Sequence, residues 1–124
     1  MSYVARSRIT ATTDTSSGVT AYSTTMTGRI INVIYYTGTL TTTADITMTV
    51  EGTSQPIFSS TGGSTSRTIA PRQVVHDTTG GTVLVTTSSS LPVRDYIAMA
   101  NDRVKCVVVN GGSVKEGTFD IIVG

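Results

Sequence analysis

Few residues in this chain have the types and spacing that chemistry demands. The one histidine, His76, stands directly beside Asp77, and serines are scattered along the whole length. A nucleophilic triad needs serine, histidine and acid to converge in space, with the acid orienting the imidazole. Adjacent residues on an extended strand send their side chains to opposite faces, so Asp77 is poorly placed for that task. No Gly-x-Ser-x-Gly elbow is present. His76 reads as a polar loop residue that hydrogen-bonds a turn, and no catalytic residue is assigned.

Metal chemistry fares no better. One histidine and one cysteine are too few for a structural zinc site. The carboxylates Asp14, Asp45, Glu51, Asp77, Asp95, Asp102 and Glu116 are dispersed without the spacing of a calcium loop. Gly62-Gly63-Ser64-Thr65 and Gly80-Gly81-Thr82 faintly resemble phosphate loops, yet both lack the lysine and the following helix. They read as turns, and no metal, cofactor or cofactor-binding residue is expected. Cys106 lies within an apolar run and reads as a small buried hydrophobe. Around Asp102-Arg103, the pairs Arg94, Asp95 and Asp102, Arg103 flank an apolar stretch. An ion pair across strand ends and a solvated loop both remain open there. Tyr35-Tyr36 sends one ring to each face of its strand, with the core as the main destination.

Charge narrows the partners. Nine basic residues against eight acidic ones leave a net charge of +1. Nucleic-acid binders carry a basic stripe, because phosphate contacts supply most of their affinity. Only Arg6 with Arg8, and Arg103 with Lys105, are closely spaced here, so no nucleic-acid partner is expected. No stretch approaches the roughly 20 apolar residues of a membrane helix, and Met1 to Arg6 lacks a signal-peptide core. The expectation is a soluble protein made in a cytoplasm, with no membrane partner.

The elements that must position these residues are strands. Charged residues are only 14% of the chain and threonine fills the gap. Threonine is β-branched and favours pleated, half-buried positions. Residues 4–13 alternate loosely, as an edge strand or an extended arm, before the Asp14 to Gly18 turn cluster. Gly28 suggests a bulge. Arg29 to Tyr36 reads as a central strand by its length and β-branching. Ile46, Met48 and Val50 alternate with Asp45, Thr47, Thr49 and Glu51, whose polar face should meet solvent or a partner. Pro56 marks a short or edge-placed strand. Arg67 to Ala70, Gln73 to His76 and Val83 to Val85 follow as short strands, with Thr86 to Ser90 as a polar loop. Val93 to Met99 is ambiguous between strand and helical turn. Val104 to Val109 and Thr118 to Val123 flank Asn110-Gly111, a turn signal that predicts a C-terminal β-hairpin.

Such short strands with frequent turn signals predict an all-β fold, an antiparallel β-sandwich of jelly-roll type closed by that hairpin. At 124 residues the chain is one domain, with about two-thirds of its surface hidden on folding. Within it, residues 1–27 form a Thr/Ser-rich strand or arm and residues 28–124 the sandwich proper.

Several segments carry a family likeness. They are Gly28-Arg29-Ile30-Ile31, then Asp45-Ile46-Thr47-Met48-Thr49-Val50-Glu51-Gly52, then Ala70-Pro71-Arg72-Gln73-Val74-Val75-His76-Asp77. Ala98-Met99-Ala100-Asn101-Asp102-Arg103-Val104-Lys105 follows, with Gly111-Gly112 ahead of Gly117-Thr118-Phe119. Over residues 28–124 the series resembles small virion structural proteins of tailed bacteriophages, of the capsid decoration or cement type. The resemblance implies a β-sandwich that assembles, commonly as a homotrimer, on the outside of the head. There it would bind the major capsid protein and tie neighbouring capsomers together.

A cement protein gains from many symmetry-related contacts adding through multivalency. Tyr3, Val4, Arg6, Arg8 and Ile9, alternating ahead of a turn, are the residues expected to anchor it to its partner by strand addition. The competing readings are a tail, neck or fibre component, and a carbohydrate-binding β-sandwich. A small hydrolase comes third and rests on His76. The absence of tryptophan and the 6% aromatic content weigh against the carbohydrate reading.

Overall fold

The computed structural model describes residues 4–61, 66–76, 78–85 and 91–124, and every helix-or-strand element among them is a strand. In chain order these are β1 (Ala5–Thr12), β2 (Val19–Tyr22), β3 (Met26–Tyr36), β4 (Asp45–Val50), β5 (Pro56–Ser60) and β6 (Arg67–Ile69). They continue with β7 (Arg72–Val74), β8 (Leu84–Val85), β9 (Leu91–Pro92), β10 (Arg94–Asp102), β11 (Val104–Val109) and β12 (Glu116–Val123). The ambiguous segment before Asp102 is thus a strand, β10.

The strands form two packed antiparallel sheets. The larger runs β1-β12-β3-β10-β7, with β6 pairing the far end of β3; the smaller runs β2-β11-β4-β5. A small β8-β9 pair forms a third, two-stranded sheet, joined to the end of β7 by backbone hydrogen bonds among Val75, Val83 and Val93. The chain alternates between the sheets: β1, β3, β10 and β12 belong to one, β2, β4, β5 and β11 to the other. Strands 1 and 12 therefore end as neighbours, the order of a jelly roll. The expected fold class holds.

Alternation decides which face goes inside. Ile46, Met48 and Val50 of β4 and Val104, Cys106 and Val108 of β11 are all buried. They meet Ile9, Ile30, Val33, Tyr35, Phe119, Ile121 and others from the larger sheet. Tyr35 lies on Phe119 with ring centroids 5.0 Å apart and planes 9° from parallel, at the centre of the core. The Asp45/Thr47/Thr49 side of β4 faces outward, as its pattern predicts.

Three expectations change. First, β11 and β12 do not form a hairpin. β11 pairs with β2 and β4, and β12 with β1 and β3, so residues 110–115 carry the chain from one sheet to the other. A tight Asn-Gly hairpin needs positive φ at both turn residues. Asn110 has φ 57°, but the next positive value is at Gly112 (92°), not Gly111. Gly111 is instead packed where a Cβ would come within 2.9 Å of Thr13 Cγ2. Second, the division at residue 28 does not hold among the described residues: β1 and β2 are strands of the two sheets, and β3 runs through positions 27 and 28. Third, the bulge suggested at Gly28 falls on the opposite strand. The β10–β3 register slips between Met99 and Asp102, across from Gly28, where Asn101 takes φ 51°.

Candidate interaction surface

The outward face of the larger sheet gathers side chains from distant parts of the chain. Cross-strand register places Arg8 opposite Asp120, and Asp120 opposite Ile34. It likewise aligns Arg6, Ile122 and Asn32. Asp120 is only 1% exposed although it points away from the core. A buried carboxylate is costly unless paired and hydrogen-bonded. Arg8 pairs it bidentately, Nε donating to Oδ1 at 2.8 Å and Nη2 to Oδ2 at 2.9 Å. Arg6 Nη1 adds a longer contact, 4.0 Å from Oδ2. These hydrogen bonds from Arg8, with its charge, hold the Asp120 carboxyl below the usual carboxylate range against the opposing effect of burial. The guanidinium of Arg8 also lies 5.9 Å from the centre of the half-exposed Tyr36 ring. Arg8, Tyr36 and Thr118 line a shallow depression of ≈ 370 Å³.

Further along the same face, Tyr96 of β10 is directly opposite Arg72 of β7, and Arg29 of β3 is opposite Ala98. The Arg72 and Arg29 guanidiniums lie 4.1 and 4.9 Å from the Tyr96 ring centre. Attraction to the ring's negative face offsets part of their mutual repulsion. Arg72 is further fixed by donating to the backbone carbonyls of Pro71 (2.7 Å) and Ile31 (3.2 Å). Arg94 is exposed and shares the outward parity of Tyr96. Among the described residues, no salt bridge joins Arg29, Arg72 or Arg94 to a carboxylate.

The smaller sheet's outward face is balanced by comparison. Arg103 pairs bidentately with Glu51 and lies 3.9 Å from the Tyr22 ring centre. Asp102 does not join an ion pair with Arg103. Its carboxylate accepts from the backbone N–H groups of Gly52 and Arg103, capping the β4–β5 turn.

The expected anchor residues are split by the fold. Tyr3 lies outside the described residues. Val4 is 70% exposed just ahead of β1, and Arg6 and Arg8 point outward on it. Ile9 is a correction: at 2% exposure it fills the core and has no surface to offer a partner. The eight-residue pairing of β1 with β12 makes this segment an edge strand and not a free arm. Tyr35 is in the core and Tyr36 faces outward, so the pair divides between both destinations. His76 is exposed and forms an isolated bridge with Thr82; Asp77 and residues 62–65 lie outside the described residues. Burial pushes the Cys106 thiol up to about 12, which leaves it uncharged and unreactive at neutral pH. No group of three or more potential metal ligands occurs among the described residues.

Arg29, Arg72, Tyr96 and Asp120 did not stand out in sequence, and Arg94 did so only beside Asp95, as an ion-pair or solvated-loop residue. Their strand parity was legible, but the register that brings β3, β7, β10 and β12 onto one face was not.

Comparison of the chain with protein-family models, curated proteins and solved structures gave no match. The class of protein rests on its geometry: an antiparallel jelly-roll sandwich with an arginine- and tyrosine-bearing sheet face.

Proposed function

We propose that this chain is a virion structural protein of a tailed bacteriophage that docks on the outside of the head and stabilises the shell. The major capsid protein is its partner, and trimeric assembly gives it several attachment points at once. The observation that carries this reading is the outward face of the larger sheet. It combines arginines and tyrosines with half-buried Ile34 and Ile122, and arginine and tyrosine are enriched where proteins bind each other. The likeness of residues 28–124 to decoration proteins supports the same role, and jelly rolls recur among capsid components.

A sheet of five strands about 4.8 Å apart, with strands of about eight residues, offers a face of about 600 Å². That approaches the roughly 800 Å² that each partner contributes to a standard interface. Repetition over a symmetric shell lets contacts of ordinary strength hold firmly.

The test is to add labelled protein to heads lacking it and to image the particles by electron microscopy. Label distributed over the head surface is the expected outcome. Label confined to one vertex or to the tail would place the protein among neck, tail or fibre components, and no label anywhere would overturn a virion role.

A further inference from the structure

We infer that the arginine-bearing face of the larger sheet docks on an acidic protein surface, with carboxylates of the partner neutralising Arg29, Arg72 and Arg94. The inference rests on the reading above and adds which face binds and what chemistry it meets.

The charge distribution carries it. Nine basic and eight acidic residues nearly cancel over the chain, but five of the nine, Arg6, Arg8, Arg29, Arg72 and Arg94, sit on one sheet face against two carboxylates of the same outward parity, Asp120 and Glu116. Asp120 answers Arg8 and, more distantly, Arg6. The other three have no carboxylate partner among the described residues. A local excess of one sign on a nearly neutral protein costs self-repulsion, which an oppositely charged partner relieves.

The choice of residue points to carboxylates. All five cations are arginine, whose planar fork matches a carboxylate with two parallel hydrogen bonds. Arg8 already makes that geometry with Asp120 inside the same face. Arg72 is held in place by two backbone carbonyls and the Tyr96 ring, so little freedom remains to be lost on binding. Between the arginines lie Ile34 and Ile122, both half buried, which give the contact an apolar centre. A second copy of this chain across a two-fold axis would bring like charges together on this face, which disfavours self-association here. A nucleic acid is the weaker fit: the sequence pI is ≈ 7.9, below the value above about 9 usual for such domains. The Tyr96 ring is also occupied by two guanidiniums instead of standing open for a base to stack.

The test compares wild type with the double variant Arg29→Glu/Arg94→Glu, both exposed positions outside the Asp120 pair. Lys105→Gln, on the other sheet, is the control. Each protein, with its thermal transition checked, is sedimented with shells lacking the protein at about 50 and about 300 mM salt. Expected are a wild-type affinity that falls about tenfold or more with salt, a further loss of about tenfold or more for the double variant, and little change for the control. Wild-type protein that fails to bind shells overturns the functional reading and this inference with it. A double variant that binds like wild type overturns the inference alone, as does tighter wild-type binding to a single-stranded DNA 20-mer than to shells.

Discussion

Asp120 occupies a position where β alternation would normally place a solvated side chain, and the fold has covered it. The cover is Arg8, whose side chain remains more than half exposed while its fork closes over the carboxylate. Removing one partner of such a pair leaves the other charge without compensation. Asp120→Asn should therefore destabilise the protein at neutral pH, leaving Arg6 and Arg8 facing a neutral amide. The pH dependence follows from the direction of the shift. A carboxyl held below its ordinary value contributes stability that is fully present above that value, about 3.9 for aspartate. The contribution is lost as pH falls through the lowered folded-state value. Urea midpoints of wild type and Asp120→Asn should differ at about pH 7 and converge as the pH falls below the ordinary aspartate value of about 3.9. A gap that stays constant down to about pH 2 would contradict the pairing. Arg8 itself stays charged throughout, so the carboxyl alone sets this dependence.

The crossover from β11 to β12 shows how an element is specified by contacts beyond its own sequence. Thr13, at the end of β1 and 2% exposed, donates its hydroxyl to the Gly112 carbonyl at 2.6 Å. The same oxygen accepts from Lys115 N–H at 2.8 Å, while Thr13 N–H donates to the Lys115 carbonyl at 2.7 Å. Asp14 continues the fastening, accepting from Ser16 and Gly18 N–H through Oδ1 and from Val114 N–H through its backbone carbonyl. Thr13→Val keeps the shape and removes the side-chain partner of the part-buried Gly112 carbonyl and Lys115 N–H; at about 0.5–1.5 kcal/mol per hydrogen bond this should cost about 1–3 kcal/mol in a denaturant titration. A loss within error would show that the crossover holds itself. This arch also marks where the sequence stops being legible. Alternation located β1, β3, β4, β11 and β12 as strands and gave the inward face of β4, because period two follows burial; in β1 it did not, since Ile9 read as an anchor and is buried. Asn110-Gly111 signalled a turn correctly but not its kind, since Thr13 and Leu40, far away in sequence, decide how Gly111 packs. The arginine face was hidden for a similar reason: positions 6, 29, 72 and 94 come onto one face only through pairings that a single sequence does not display.

At the scale of the whole molecule, the jelly roll joins its first strand to its last. Arg8 and Asp120 are 112 residues apart, and β12 lies between β1 and β3, giving each a partner. Folds dominated by such distant pairings close slowly, in milliseconds to seconds, because loop-closure entropy is lost before the contacts repay it. The same arrangement makes β12 indispensable. It supplies Phe119, Ile121 and Val123, all buried, and Phe119 is the ring stacked on Tyr35. Core truncations of this kind cost about 2–5 kcal/mol each, so losing three approaches the entire 5–15 kcal/mol that holds an ordinary domain folded. Deleting residues 116–124 should abolish cooperative unfolding, because β1 would lose its ladder and β3 an entire edge. Circular dichroism during heating reads this directly: wild type shows one sharp transition and the truncated chain a shallow slope without one. A truncated chain that still melts sharply would mean that the smaller sheet with β3 and β10 folds on its own, and that the docking face is added to a finished scaffold instead of being built with it.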